Sequence, residues 1–178
     1  MSLQSNFELM ANYNQWMNER TYEAVSNLSA SERSRNRGAF FGSIMGTLNH
    51  ILVGDIIWLK RFSSHLAQLR TLDYVRALQT PQTLNSILYA EFEELQGARI
   101  KMDSTIQEFS HELTDEMLAT SLSYTDTKGE PFTKNWGYLV QHFFNHQTHH
   151  RGQVSTLLNQ ANVDVGVTDL LVNIPNEK

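Results

Sequence analysis

The chain has 178 residues, with 14 Lys+Arg against 19 Asp+Glu and no Cys. A net charge of −5 argues against nucleic acid as the main partner, because such binding runs on Lys and Arg neutralising phosphates. The missing thiols exclude disulfides, thiolate zinc fingers, iron–sulfur clusters and a cysteine nucleophile, so transition-metal chemistry here must use His and carboxylates. The length predicts one domain over residues 1–178, large enough to bury a core without staples. Residues 1–6 carry neither a basic nor an apolar signal region, and no stretch approaches ~18 uninterrupted apolar residues. The expected location is cytoplasmic, with no membrane partner.

The apolar pattern is helical nearly everywhere. Leu3, Phe7, Met10, Met17, Val25 and Leu28 follow three-four spacing and predict a first helix over 3–28. Residues 29–38 form a polar break, whose Arg33, Arg35 and Arg37 read as a solvated loop. A second helix is predicted over 43–62, through Ile44, Leu48, Ile51, Asp55, Trp58, Leu59 and Phe62. Its aromatic Trp58, like Trp16 before it, reads as core. A long connection follows, with room for a short helical segment, and ends at Thr80-Pro81. The third helix is predicted over 84–109, with Glu91, Glu93, Glu94, Lys101 and Asp103 on its wet side. Gly97 interrupts it at a cost of about 1 kcal/mol relative to Ala. Turn chemistry at Lys128-Gly129-Glu130-Pro131, after alternation at 123–125, predicts a small hairpin. A fourth helix over 135–160 follows it, and then an irregular tail that packs back. The expected fold class is all-α: a four-helix bundle with a long connection after helix two and a small hairpin before helix four.

The histidines carry the chemistry. Four of the seven fall within 142–150, inside one helix. His142, His146 and His150 lie at i, i+4 and i+8 on one face, with neighbouring Cβ atoms roughly 5–6 Å apart. Two imidazoles one turn apart can converge on a divalent cation, and a third ligand must come from another helix. The second helix offers His50, flanked one turn away by Gly46 and Gly54, which leave space around the imidazole. The same glycines would equally let a neighbouring helix approach closely. An HExxH site fails because Asp115 stands where the second His belongs, and a di-iron carboxylate site fails because only Glu108-x-x-His111 fits its motif. Phosphate-binding glycine loops and a nucleophile elbow are absent.

The segment Asn145-His146-Gln147-Thr148-His149-His150-Arg151-Gly152-Gln153 resembles the DinB family, whose last bundle helix carries H-x-x-x-H-R-G-Q. The resemblance extends to Leu48-Asn49-His50-Ile51-Leu52, with Asp55 and Trp58 following, and to Tyr13-Asn14-Gln15-Trp16-Met17-Asn18. It implies a bundle with a three-His divalent metal site whose ligands are His50, His146 and His150. His142 is a substitute ligand by spacing, and His149 a residue behind the ligands or at the rim. Gln153 shares the face of His146 and is a candidate to hydrogen-bond a ligand or bound water. Asn14 and Asn18 are candidates to line the pocket, with contacts to neighbouring backbone as the bland reading. Asp55 is a candidate to orient a ligand His, or else to pair with Lys60 or Arg61. Arg151 points about 100° away from His150 and is expected to bond helix or loop carbonyls. No Arg or Lys cluster beside the histidines announces an anionic ligand.

Three neutral imidazoles leave an ion its full +2 charge, and an open position would activate water or a thiol. The implied function is a metal-dependent enzyme, either a thiol-dependent transferase or a metal-water hydrolase. Its ion would be Zn²⁺, or Ni²⁺ or another divalent metal, and its substrate a small-molecule thiol or another small molecule. The alternative is a non-enzymatic, stress-linked metal- or partner-binding bundle. The resemblance also implies a homodimer. DNA binding has no basic stripe to support it.

Overall fold

The protein is described by a computed structural model over residues 2–66 and 68–177; Met1, Ala67 and Lys178 of the expected 1–178 domain lie outside the described residues. Four long helices dominate: α1 (Leu3–Ser26), α3 (Ile44–His65), α5 (Phe92–Glu112) and α7 (Trp136–Gln160). Between them lie short α2 (Ala30–Ser34), α4 (Asp73–Ala77) and α6 (Asp115–Leu118), and a hairpin of β1 (Ser121–Thr125) and β2 (Pro131–Asn135). The main helix contacts are α1 on α5 and α7, and α3 on α7. No helix among the described residues is long and apolar enough to cross a membrane.

Local chemistry sets the boundaries. Ser2, Ser29, Ser43, Thr114 and Asn135 each accept a backbone N–H of the helix that follows, satisfying donors a helix start leaves open. Two of these caps start helices the periodicity did not predict: α2 inside the polar break, and α6. Helix α1 stops at Ser26, short of Leu28, because the Arg33 guanidinium takes the Val25 and Ser26 carbonyls. Helix α3 runs one turn past Phe62, to His65.

Helix α5 differs most from expectation. It begins at Phe92 rather than Leu84. The preceding segment gives its backbone groups to α3 instead of to a helix of its own. The Asn49 side chain accepts from the Leu88 and Tyr89 N–H groups and donates to the Tyr89 carbonyl. The long connection contains a 3₁₀ turn, Arg70–Leu72, running into α4.

The predicted hairpin is present as an antiparallel pair in which Ser123 faces Thr133, so the fold is mostly helical with a two-stranded sheet rather than purely α. The tail is irregular apart from a 3₁₀ turn at Leu170–Asn173. It is tied to α1 where Tyr13 donates to the Thr168 carbonyl and Arg20 to that of Val165. The core is aromatic at one end, where Phe62, Phe109, Trp136 and Phe143 interlock.

Candidate metal centre

Helix α3 carries the first element of the site. Gly46 sits in its first turn, where a Cβ would run into the Phe41 carbonyl oxygen. The missing side chain lets the 38–43 loop close over the helix. The Phe41 ring then stacks on His50, with centroids 3.7 Å apart, and meets His150 edge-on at 5.5 Å. Gly46 therefore makes room for a loop, not for open space around the imidazole. Gly54 makes room for a ligand: a Cβ there would lie 2.5 Å from His146 Cε1.

His50 on α3 meets His146 and His150 on α7. His50 Nε2 lies 3.1 Å from Nε2 of each. Hydrogen bonds behind the rings decide the tautomers. His50 Nδ1 lies 2.7 Å from the Leu84 carbonyl, which can only accept, so Nδ1 carries the proton and Nε2 presents a lone pair. His150 Nδ1 lies 2.8 Å from Gln153 Oε1, with the same consequence. Gln153 Nε2 is in turn 3.3 Å from His149 Nε2.

Two bare nitrogens thus face each other at hydrogen-bond distance with no hydrogen between them. That arrangement is repulsive alone and favourable around a cation. Nitrogens bound to one zinc ion at about 2.0–2.1 Å can be at most about 4.2 Å apart, a limit the 3.1 Å separations meet. Burial pushes all three imidazoles below their ordinary range. His146 reaches about 3, with the charges of His150 and His50 as further causes. Neutral imidazole is the form that ligates metal. The donor set fits a divalent ion, and the three nitrogens form a group able to hold one.

A family model for the DinB family matches residues 1–177. The chain belongs to the DinB family. It is 25% identical over 157 residues to Protein DinB of Bacillus subtilis (strain 168), covering 88% of this chain and 87% of that one. It also resembles, at 20% identity and a TM-score of 0.55, the crystal structure of a DinB-like protein from Bacillus cereus ATCC 10987, over 85% of this chain and 89% of that one. The second likeness speaks for the fold alone.

In this DinB-family chain the other candidate residues divide sharply. His142 stands outside the three-nitrogen group, with its ring on Trp58 at 5.1 Å. His149 is exposed; its ring meets that of His150 edge-on at 4.8 Å, and it lies beside Gln153, but it offers no nitrogen to the three-His group. Trp58 and Trp16 are half-buried rather than core.

Asn14, Asn18 and Asp55 do not reach the histidines. Asp55 pairs with neither Lys60 nor Arg61; its Oδ2 binds Arg99 Nη1. Arg99 Nη2 lies 2.9 Å from Asp103, which also accepts from Asn14 at 3.2 Å and Asn18 at 2.8 Å. Arg151 joins through Asn14 Oδ1, so its partner is a side-chain amide instead of a carbonyl of the backbone. Asp103, expected on a wet face, is buried in this cluster.

The cluster draws on all four long helices, and its two guanidinium and two carboxylate groups balance in charge. Burial nevertheless pushes Asp55 up to about 6, against the pull of Arg99. The residues that sequence reasoning missed are Phe41, the Leu84 carbonyl and Arg99. Gly46 was the only signal for the first. A backbone carbonyl leaves none.

Proposed function

We propose that this DinB-family protein binds one divalent metal ion through His50, His146 and His150 and uses it in a metal-dependent reaction on a small molecule. The observation that carries this reading is the pair of bare Nε2 atoms held face to face by proton-donating Nδ1 atoms. A bound ion supplies Lewis-acid activation of a coordinated water or thiol, leading to hydrolysis or to thiol-dependent transfer.

The chain's own residues hold the geometry. Leu84 and Gln153 fix which nitrogen of His50 and His150 faces inward, and Phe41 covers one face of His50. His146 and His150 remain half-buried, so the group keeps a side towards solvent. Imidazole donors suit zinc and nickel alike, with Zn²⁺ the first expectation. A four-helix bundle that pairs as a homodimer is part of the same proposal, supported by family membership and tested by sizing in solution.

The deciding experiment is elemental mass spectrometry of the purified, untagged protein beside the His146→Ala/His150→Ala variant. About one divalent ion per chain, lost in the variant, is the expected result. No ion in either after reconstitution overturns the reading and leaves a non-enzymatic binding bundle.

A further inference from the structure

A second concave site lies away from the histidines. A cleft of about 670 Å³ opens between α3, the 80–82 segment and the β1 strand with its turn. That size falls in the range of small-molecule sites, roughly 300–1,000 Å³. Its lining is rich in donors: Lys60, Arg61 and Arg76, with hydroxyls from Ser64, Thr80 and Thr127.

Arg76 holds the wall in place. Its guanidinium donates to the Ser63, Leu66 and Leu69 carbonyls and pairs with Asp73. Lys60 donates to the Arg76 carbonyl at 3.1 Å, and Arg61 Nη2 to the Thr125 carbonyl at 2.9 Å. An ammonium has three donors and a guanidinium five, so both keep donors beyond these bonds. Neither is ion-paired among the described residues. Asp126 is the only carboxylate in the lining; its charge reaches Arg61, but its Oδ1 already accepts from the Lys128 and Glu130 N–H groups.

Arg61 is fixed in orientation. Its guanidinium carbon lies 4.6 Å from the Trp58 ring centroid and 4.8 Å from that of Tyr124. Half-burial pushes this guanidinium below its ordinary range, so its charge is incompletely compensated.

We propose that this cleft is a binding site for a small-molecule oxyanion, a carboxylate or phosphate group seated on Lys60 and Arg61. Hydrogen bonds between charged partners are about twice as strong as neutral ones, and a planar guanidinium pinned on two rings is set for two-point contact with such a group. A long polyanion fits poorly, because beyond the cleft it meets a protein of net charge −5. The proposal does not depend on a metal at the histidines. The aromatic row from Arg61 through Trp58 to His142 runs towards that group, since His142 stands 6.3 Å from His146, ring to ring.

The test is a titration of ¹⁵N-labelled protein with inorganic phosphate and, separately, with citrate, against sodium chloride at matched ionic strength. The expected result is saturable shifts at Tyr124, Thr125 and Ser64 for at least one anion. Affinity should fall at least tenfold in Lys60→Gln/Arg61→Gln and measurably in Lys60→Gln alone, with thermal unfolding checked in both, and should be unchanged in His150→Ala. Response to phosphate alone assigns a phosphate ester, response to citrate alone a polycarboxylate, and response to both the shared oxyanion chemistry. Shifts that match chloride, binding undiminished in Lys60→Gln and in the double variant, or binding lost in His150→Ala but kept in Lys60→Gln/Arg61→Gln overturns it.

Discussion

His146 occupies the space where Gly54 would carry a side chain: a Cβ on Gly54 would lie 2.5 Å from His146 Cε1. One helix has given up a side chain so that a ligand on another can reach His50. Gly54→Ala should gain helix propensity of up to about 1 kcal/mol while pushing the His146 ring off its position. The expected outcome is a chain no less helical by circular dichroism whose zinc affinity drops about 10–100-fold, the range typical when support for a ligand is lost. Unchanged affinity would show that the His146 ring can move without cost.

Gln153 meets the three-His group at His150 Nδ1, so it would act on a bound metal through that ring. Gln153→Leu removes the acceptor of the Nδ1 proton and frees the ring to turn over. Zinc affinity is expected to fall about 10–100-fold while stability stays within about 0.5 kcal/mol. Gln153→Glu, which keeps an acceptor, should recover most of the loss. A competition titration with a chromogenic chelator reads both variants.

Asp55 gives a pH dependence with a definite sign. Its folded-state value of about 6 lies above the unfolded value of about 3.9. Between the two, the folded chain holds a proton that the unfolded chain has lost. The stability this group contributes is therefore full below about pH 4 and falls as pH rises through about 6. Urea unfolding at pH 4.5 and 7.5 should show the wild type's advantage over Asp55→Asn shrinking at the higher pH. A widening advantage would mean that Arg99 holds the carboxyl below its ordinary range.

Phe62 anchors the end of the core remote from the charged cluster. It is fully buried, with ring centroids 5.8 Å from Phe109, 6.0 Å from Trp136 and 6.2 Å from Phe143. Phe62→Ala should cost about 3–5 kcal/mol in chemical denaturation. Its zinc stoichiometry should stay at the wild-type value.

Periodicity and local chemistry were enough for much of this protein. Three-four apolar spacing marked α1, α3 and α7 nearly end to end, because a helix that buries one face must repeat at its own pitch. The turn at 128–131 marked the hairpin, because its backbone needs Gly129 at φ +87°. The three histidines could be named because the last-helix motif is local and His50 has its own recognisable surroundings.

What the sequence could not decide is anything that depends on a partner far along the chain. Leu84 lies inside an apolar pattern that reads as helix, yet it belongs to a segment whose backbone is held by Asn49 and His50. Asp103 reads as a wet-side residue, yet two arginines and two asparagines from other turns and helices enclose it. Lys60 and Arg61 enter the sequence reading only as alternative partners for Asp55, whereas the hairpin, more than 60 positions away, closes a cleft over them. A hydrophobic period constrains which face is buried, because transfer from water acts on each residue separately. Which polar groups meet inside is a pairwise matter. Only the packing of α1, α3, α5 and α7 against one another brings those pairs together.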